Sequence, residues 1–167
     1  MLPDGRAAAP AVESVHPDPI DEARPAIAVF RDKDGLPQNA AMAMAFDPQG
    51  YLWIGTQDGL ARYDGHEWSV VNLPNRTESN FVRSMVFASD GALWCGREIG
   101  GVARLKDGRW DTWDEAQGGP RGRVDVVFEE APPDQQPAIW VGTSNGLYRF
   151  ADGAWRNFTM ADGLPSN

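Results

Sequence analysis

The sequence predicts an all-β chain built from four-stranded antiparallel units, and three observations predict it. A Trp-x-Gly strand motif recurs as Tyr51-Leu-Trp-Ile-Gly-Thr56, Ala92-Leu-Trp-Cys-Gly-Arg97 and Ala138-Ile-Trp-Val-Gly-Thr143. An Asp-Gly turn follows each copy, at Asp64-Gly65, Asp107-Gly108 and Asp152-Gly153, and each turn leads to a tryptophan, Trp68, Trp110 or Trp155. Gly 18 and Pro 13 among 167 residues, beside 42% apolar residues and seven Trp, describe a turn-rich protein with an aromatic core rather than disorder or collagen.

Within the first unit the segments are short and bounded by turn residues, the signature of strands joined by hairpins. Residues 41–46 read as the first strand and Asp47-Pro-Gln-Gly50 as a turn. The second strand is 51–56, Gln57-Asp-Gly59 turns the chain, 60–63 is the third strand, Asp64-Gly65 turns it again and 68–73 is the fourth. Eight Asp-Gly pairs in the chain support this punctuation, because glycine accepts positive φ and aspartate bonds the backbone of tight turns.

Spacing locates the irregularities. Phe46, Phe87 and Phe128 are 41 apart both times, whereas Trp53, Trp94 and Trp140 are separated by 41 and then 46, which places five additional residues between Phe128 and Trp140. That interval is rich in proline and polar residues and reads as an enlarged surface loop. One more residue stands in Arg97-Glu-Ile-Gly-Gly101 than in Thr56-Gln-Asp-Gly59. Four short antiparallel strands recurring at about 40 to 45 residues are the pattern of a β-propeller blade. The first strands, Ala41-Met-Ala-Met-Ala-Phe46 and Phe81-Val-Arg-Ser-Met-Val-Phe87, are apolar at nearly every position, as expected of inner strands covered on both faces by neighbouring blades.

These residues resemble the two-component regulator propeller repeat. Asp34-Gly-Leu-Pro-Gln-Asn39, Asp47, Gly50, Leu52-Trp-Ile-Gly-Thr56 and Gly59-Leu-Ala-Arg-Tyr63 follow its pattern almost continuously. The third unit matches through Ile139-Trp-Val-Gly-Thr143 and Gly146-Leu-Tyr-Arg-Phe150, and Asp162-Gly-Leu-Pro-Ser-Asn167 opens a fresh repeat. The second unit departs: its Asp-Gly-Leu-Pro is missing and Arg97 stands where the others have threonine. The resemblance implies an extracytoplasmic, periplasmic propeller that senses a ligand for a histidine kinase, a hybrid kinase or a diguanylate cyclase. None of those output parts is visible in the sequence.

The expected organisation is a flexible leader over 1–25, rich in Ala, Pro and acidic residues, then a partial propeller over 26–167. Residues 26–30, Ala-Ile-Ala-Val-Phe, are expected to be a fourth strand completing the last blade of a closed ring. Blades span about 40–73, 81–114 and 123–159, and 160–167 starts the next repeat. The first residues lack a basic region followed by an apolar one, and no apolar run approaches the ~20 residues of a membrane span.

Charge and composition narrow the function. A formal net charge of -9 repels phosphate backbones and anionic lipid surfaces, so nucleic acid and membrane insertion are not expected partners. One cysteine, Cys95, excludes an internal disulfide, and two histidines, His16 and His66, leave no usual zinc set. No catalytic, cofactor or metal residues are assigned. Glu129, Glu130 and Asp134 lack the spacing of a calcium loop and read as a solvated acidic edge. The repeat positions Trp53, Gly55, Trp94, Gly96, Trp140 and Gly142, with the three Asp-Gly turns, read as structural. Connections entering first strands and those between second and third strands emerge on one rim, which makes Arg83, Arg97 and Glu98 ligand-binding candidates. Trp113, the one tryptophan outside the repeat, joins them. Gln38, Asn39 and Asn80 lie on the same rim as turn-stabilising residues.

The leading reading is therefore a non-catalytic binding module for a small molecule or oligosaccharide. A propeller lyase or hydrolase, which needs a central metal and a histidine base, and a protein-binding scaffold are the alternatives. Three blades leave two faces uncovered, so further blades of the same protein or self-association are expected to cover them.

Overall fold

The computed structural model describes residues 28–74 and 79–166; the expected leader, Ala26, Ile27 and Asn167 lie outside the described residues. Among the described residues twelve strands form three four-stranded antiparallel sheets, each in simple sequential order. Blade 1 comprises β1 (Ala41–Phe46), β2 (Leu52–Thr56), β3 (Gly59–Tyr63) and β4 (Trp68–Val71). Blade 2 comprises β5 (Val82–Phe87), β6 (Leu93–Arg97), β7 (Val102–Lys106) and β8 (Arg109–Trp113). Blade 3 comprises β9 (Val124–Glu130), β10 (Ala138–Thr143), β11 (Gly146–Ala151) and β12 (Ala154–Phe158). The fold is an open propeller arc in which β1, β5 and β9 lie side by side as the inner strands.

The hairpins follow from the turn residues. Asp107 and Asp152 have φ of 50° and 51°, and Gly108 and Gly153 follow with 75° and 77°. Two successive positive φ values make the turn whose twist matches paired strands. Asp64 works differently: its carboxylate accepts the N–H groups of Glu67 and His66, which hold its pKa below the ordinary value.

Two apolar cores lie between the sheets. Trp53 and Leu60 of blade 1 pack with Val82, Met85, Leu93 and Cys95 of blade 2. Trp94 and Val102 of blade 2 pack with Val124, Val127, Val141 and Tyr148 of blade 3. The repeat glycine permits this approach. A Cβ added to Gly55 would lie 2.7 Å from Val82 Cγ1 and 2.9 Å from Met85 Cε, and one added to Gly96 would collide with Val124 and Val127. Burial also pushes the Cys95 thiol far up from its ordinary pKa, leaving an inert packing group.

The structure corrects two expectations. Phe128 is not equivalent to Phe46 and Phe87. Those two pair with Leu52 and Leu93, whereas Phe128 pairs with Trp140. Because side chains alternate, one residue of offset moves Phe128 to the opposite face, the one shared with Trp140. Val82 and Val124 hold equivalent places 42 residues apart, so one additional residue enters ahead of Val124 and four lie in the loop after β9.

Trp113 does belong to the repeat. It pairs with Val102 as Val71 pairs with Leu60 and Phe158 with Leu147. Glu130 lies on the exposed edge expected of it with Glu129 half-buried beside it, and both have partners. Glu129 accepts the N–H and hydroxyl of Ser89 in blade 2, and Glu130 accepts the indole N–H of Trp140 at 2.8 Å.

The expected strand 26–30 falls partly outside the described residues; Ala28–Phe30, its described part, takes part in no strand pairing among the described residues. Phe30 nonetheless packs 5.1 Å from the Tyr63 ring and 5.5 Å from Trp68. The inner strands at the two ends, β1 and β9, each expose one face: Met44, Phe46, Val126 and Phe128 are more than half exposed.

Candidate functional site

Hydrogen bonds tie the two kinds of connection together on one rim. Gln38 donates to Gln57, Asn80 of the entry to blade 2 donates 3.1 Å to Asp58 of the blade 1 hairpin, and the Glu98 N–H reaches the Phe81 carbonyl at 3.0 Å. In blade 3 the Ser144 N–H donates to the Arg123 carbonyl, and the Arg123 N–H returns a bond to the Ser144 hydroxyl.

Blades 1 and 3 close their β2–β3 and β10–β11 hairpins identically. The Thr56 hydroxyl donates to the Gly59 carbonyl and accepts from the Asp58 N–H, and Thr143 does the same with Gly146 and Asn145. Arg97 replaces this threonine in blade 2. Its side chain is fully buried and its guanidinium donates to the Ser79 carbonyl. The hairpin, freed of the threonine clamp, is one residue longer and turns through Gly100 and Gly101 at φ of 86° and 66°, carrying an exposed Ile99.

Opposite this hairpin runs the connection from blade 2 to blade 3. Asp114 accepts the Gln117 N–H and the Gln117 side chain accepts the Asp114 N–H, a reciprocal cap on a short 3-10 turn, Glu115–Gln117. Gly118 follows in the left-handed region. The same turn stands at Asp32–Asp34 and Met160–Asp162, each with glycine at its end. Gln117-Gly-Gly-Pro120 is therefore the blade 2 to blade 3 version of Asp34-Gly-Leu-Pro37, with glycine in place of leucine.

Between hairpin and connection lies an open groove of about 810 Å³, with Glu98, Ile99, Asp114, Glu115, Arg121 and Arg123 on its walls. Two of its lining residues, Glu98 and Arg123, belong to a chain of four charges. Arg83 reaches Glu98 at 2.9 Å and Asp125 at 3.4 Å, and Arg123 grips Asp125 at 2.8 and 3.2 Å. The Arg123 guanidinium, bonded to Asp125, holds that carboxyl below the ordinary aspartate range; Arg83 adds to the effect. Arg121 and Glu115, both on the groove wall, are bonded to each other.

Of the residues singled out from sequence, Glu98 stands in the groove and Arg83 beside it. Arg97 is turned inward as a strut. Trp113 is taken up by packing: it stacks on Trp94 at 5.3 Å and 17° and meets the rings of Phe150 and Trp155. Asn39 accepts the Asp32 N–H at 2.7 Å, a turn-holding role. Sequence reasoning missed Asp114, Glu115, Arg121, Arg123 and Asp125. The signal that finds them is the Gly-Gly-Pro version of the repeat opener. Among the described residues no group of three His, Cys, Asp or Glu side chains is arranged to hold a metal ion. No helix among them is long and apolar enough to cross a membrane.

The family model described as two component regulator propeller matches residues 35–58. Histidine kinase P4 of Formosa agariphila is 42% identical over 41 residues, 25% of this chain and 3% of the kinase. The extracellular domain assigned to a hybrid two component system from B. thetaiotaomicron superposes with a TM-score of 0.70 at 17% identity, over 82% of this chain and 21% of that one. The extracellular domain assigned to a one component system of the same organism gives 0.55 at 17% identity, over 76% of this chain and 20% of that one. The chain thus spans a small part of each of these proteins, and the two superpositions establish the propeller fold.

Proposed function

We propose that this arc of two-component-regulator-type repeats is the ligand-sensing part of a bacterial signalling receptor that works outside the cytoplasm. It takes a hydroxyl-rich small molecule or oligosaccharide in the rim groove between the 98–101 hairpin and the 114–123 connection. The observation that carries this reading is the departure of blade 2 from the repeat at that place. Arg97 replaces the hairpin threonine, the loop lengthens, and the opener loses its leucine, so the rim opens a groove where the sequence breaks its own pattern.

The walls suit a neutral polyol. Carboxylates of Asp114, Glu115 and Glu98 accept hydrogen bonds, the guanidiniums of Arg121 and Arg123 donate them, and Ile99 supplies an apolar surface for the face of a ring. The opposite charges are paired with one another, which disfavours a strongly charged ligand.

A thermal-shift screen with neutral and uronic oligosaccharides tests the reading. A ligand at a hundred times its dissociation constant stabilises the folded state by about 2.7 kcal/mol, a rise of a few degrees in Tm. Arg121→Ala together with Glu115→Ala should abolish that rise. A panel that leaves Tm unchanged at saturating concentration, or a rise untouched by the double variant, contradicts the assignment.

A further inference from the structure

The β1–β2 turn of blade 1 and the β5–β6 turn of blade 2 are built on one register. Phe46 pairs with Leu52 and Phe87 with Leu93, and the next residue, Asp47 or Ala88, donates its N–H to the carbonyl of Tyr51 or Ala92. Asp47 has two tasks: one carboxylate oxygen holds the turn N–H groups and the other accepts the indole N–H of Trp53. In blade 2 the first task passes to Asp90, whose carboxylate accepts the Ala92 N–H. No residue takes the second: Trp94 is 3% exposed, yet among the described residues its indole N–H donates no hydrogen bond. A buried donor left without an acceptor is costly and calls for a partner.

The space around Trp94 is open as well. At the junction of blades 1 and 2 the Phe87 ring lies 5.7 Å from Trp53. At the junction of blades 2 and 3 the register gives that place to Glu129, which pairs with Ile139 as Phe87 pairs with Leu93 and accepts from Ser89. A cleft of about 240 Å³ results on the rim opposite the groove, floored by Trp94, Ile139 and Phe150 beside Ala88, with Gln136 and Pro137 of the enlarged loop as a wall. It is smaller than the roughly 300–1,000 Å³ of pockets for drug-sized ligands.

The polar groups at this cleft are incomplete in a complementary way. The Arg104 guanidinium lies 5.6 Å from the centre of the Trp94 ring and bonds Asp111 at 2.6 Å, but its buried Nε has no partner. Asp90 is paired with Lys106 at 2.6 Å, whereas Glu129 and the exposed Asp152 have no cation among the described residues. Donors without acceptors, Trp94 and Arg104, thus share a cleft with carboxylates without a cation. A ligand ion of one sign would meet only half of this set.

We propose that the cleft binds a small zwitterion, an α-amino acid, whose carboxylate takes the place that Asp47 holds in blade 1 and accepts from Trp94 and Arg104, while its ammonium faces Glu129 and Asp152. This inference is independent of the ligand assigned to the rim groove.

Calorimetric titration of the full chain with the standard amino acids, each up to about 10 mM so that a millimolar dissociation constant registers, tests it. At least one should bind, and propionate and ethylamine, each carrying one of the two charges, should bind more than about tenfold more weakly. Ala88→Asp supplies the missing acceptor from within the chain, as Asp47 does in blade 1, and should abolish binding. Asp152→Asn keeps a residue that tolerates the positive φ of 51° and should weaken binding more than about tenfold. It carries the test if circular dichroism shows that Ala88→Asp does not fold. The proposal is overturned if no amino acid binds, if propionate or ethylamine binds as tightly, or if either folded variant retains wild-type affinity.

Discussion

The indole N–H of Trp53 donates a 2.8 Å hydrogen bond to Asp47 Oδ2, while Oδ1 of the same carboxylate accepts the N–H groups of Gln49 and Tyr51. One buried side chain thereby satisfies the tryptophan of β2 and builds the turn leading to it. Blade 3 repeats the tryptophan bond with Glu130, and blade 2, which has Ala88 there, instead stacks Trp94 on Trp113. Asp47→Ala leaves a buried indole N–H without its acceptor and should destabilise the protein by about 1–3 kcal/mol. Glu130→Ala, at an exposed residue, should cost less than about 1 kcal/mol. Urea denaturation of the two variants measures the difference.

Gly96 and Gly142 occupy the same repeat position with opposite surroundings. Alanine at 96 must push into Val124 and Val127, both buried, and should destabilise by about 1–3 kcal/mol. Alanine at 142 meets only the half-exposed Val126, whose methyl can rotate away, and should be within about 1 kcal/mol of wild type in dilute solution. Equal losses in thermal denaturation would contradict the packing role assigned to this glycine.

Tyr148 is buried with its hydroxyl lacking a hydrogen-bond partner among the described residues. Tyr148→Phe removes that desolvated group and keeps the ring, so stability should stay equal or rise by up to about 1 kcal/mol. A clear loss in Tm would reveal a partner for the hydroxyl.

Asp125 should make rim stability depend on acid. Its folded pKa is depressed below the ordinary 3.8 by Arg123, so its stabilisation is present above that value and disappears as pH falls through the folded pKa. The side chain is 40% exposed, which limits the effect to under about 1 kcal/mol and makes it sensitive to salt. Asp125→Asn should lower Tm at neutral pH and low salt, and the gap should close in strong acid or at high salt. A gap that persists under both conditions would assign Asp125 a role other than ion pairing.

The blade architecture was legible because its signals are local: Asp-Gly turns, Trp-x-Gly strands and fixed spacing each need only a few neighbouring residues. The register of β9 was not, because Phe128 resembles Phe46 and Phe87 in sequence while one residue inserted earlier moves it to the other face. Trp113 looked irregular because its repeat partners are Val71 and Phe158, side chains of different size that pairing alone aligns. The groove was half visible. Arg83 and Glu98 follow from rim topology, whereas Arg121, Arg123 and Asp125 depend on reading Gly-Gly-Pro as a disguised opener whose missing side chain cannot announce itself.

Hydrogen–deuterium exchange in the presence of an oligosaccharide that raises Tm addresses the groove assignment directly. Slowed exchange confined to 98–101 and 114–123 is the expected result. Protection on the opposite rim, around Asp90 and Lys106, with the groove unchanged would contradict it.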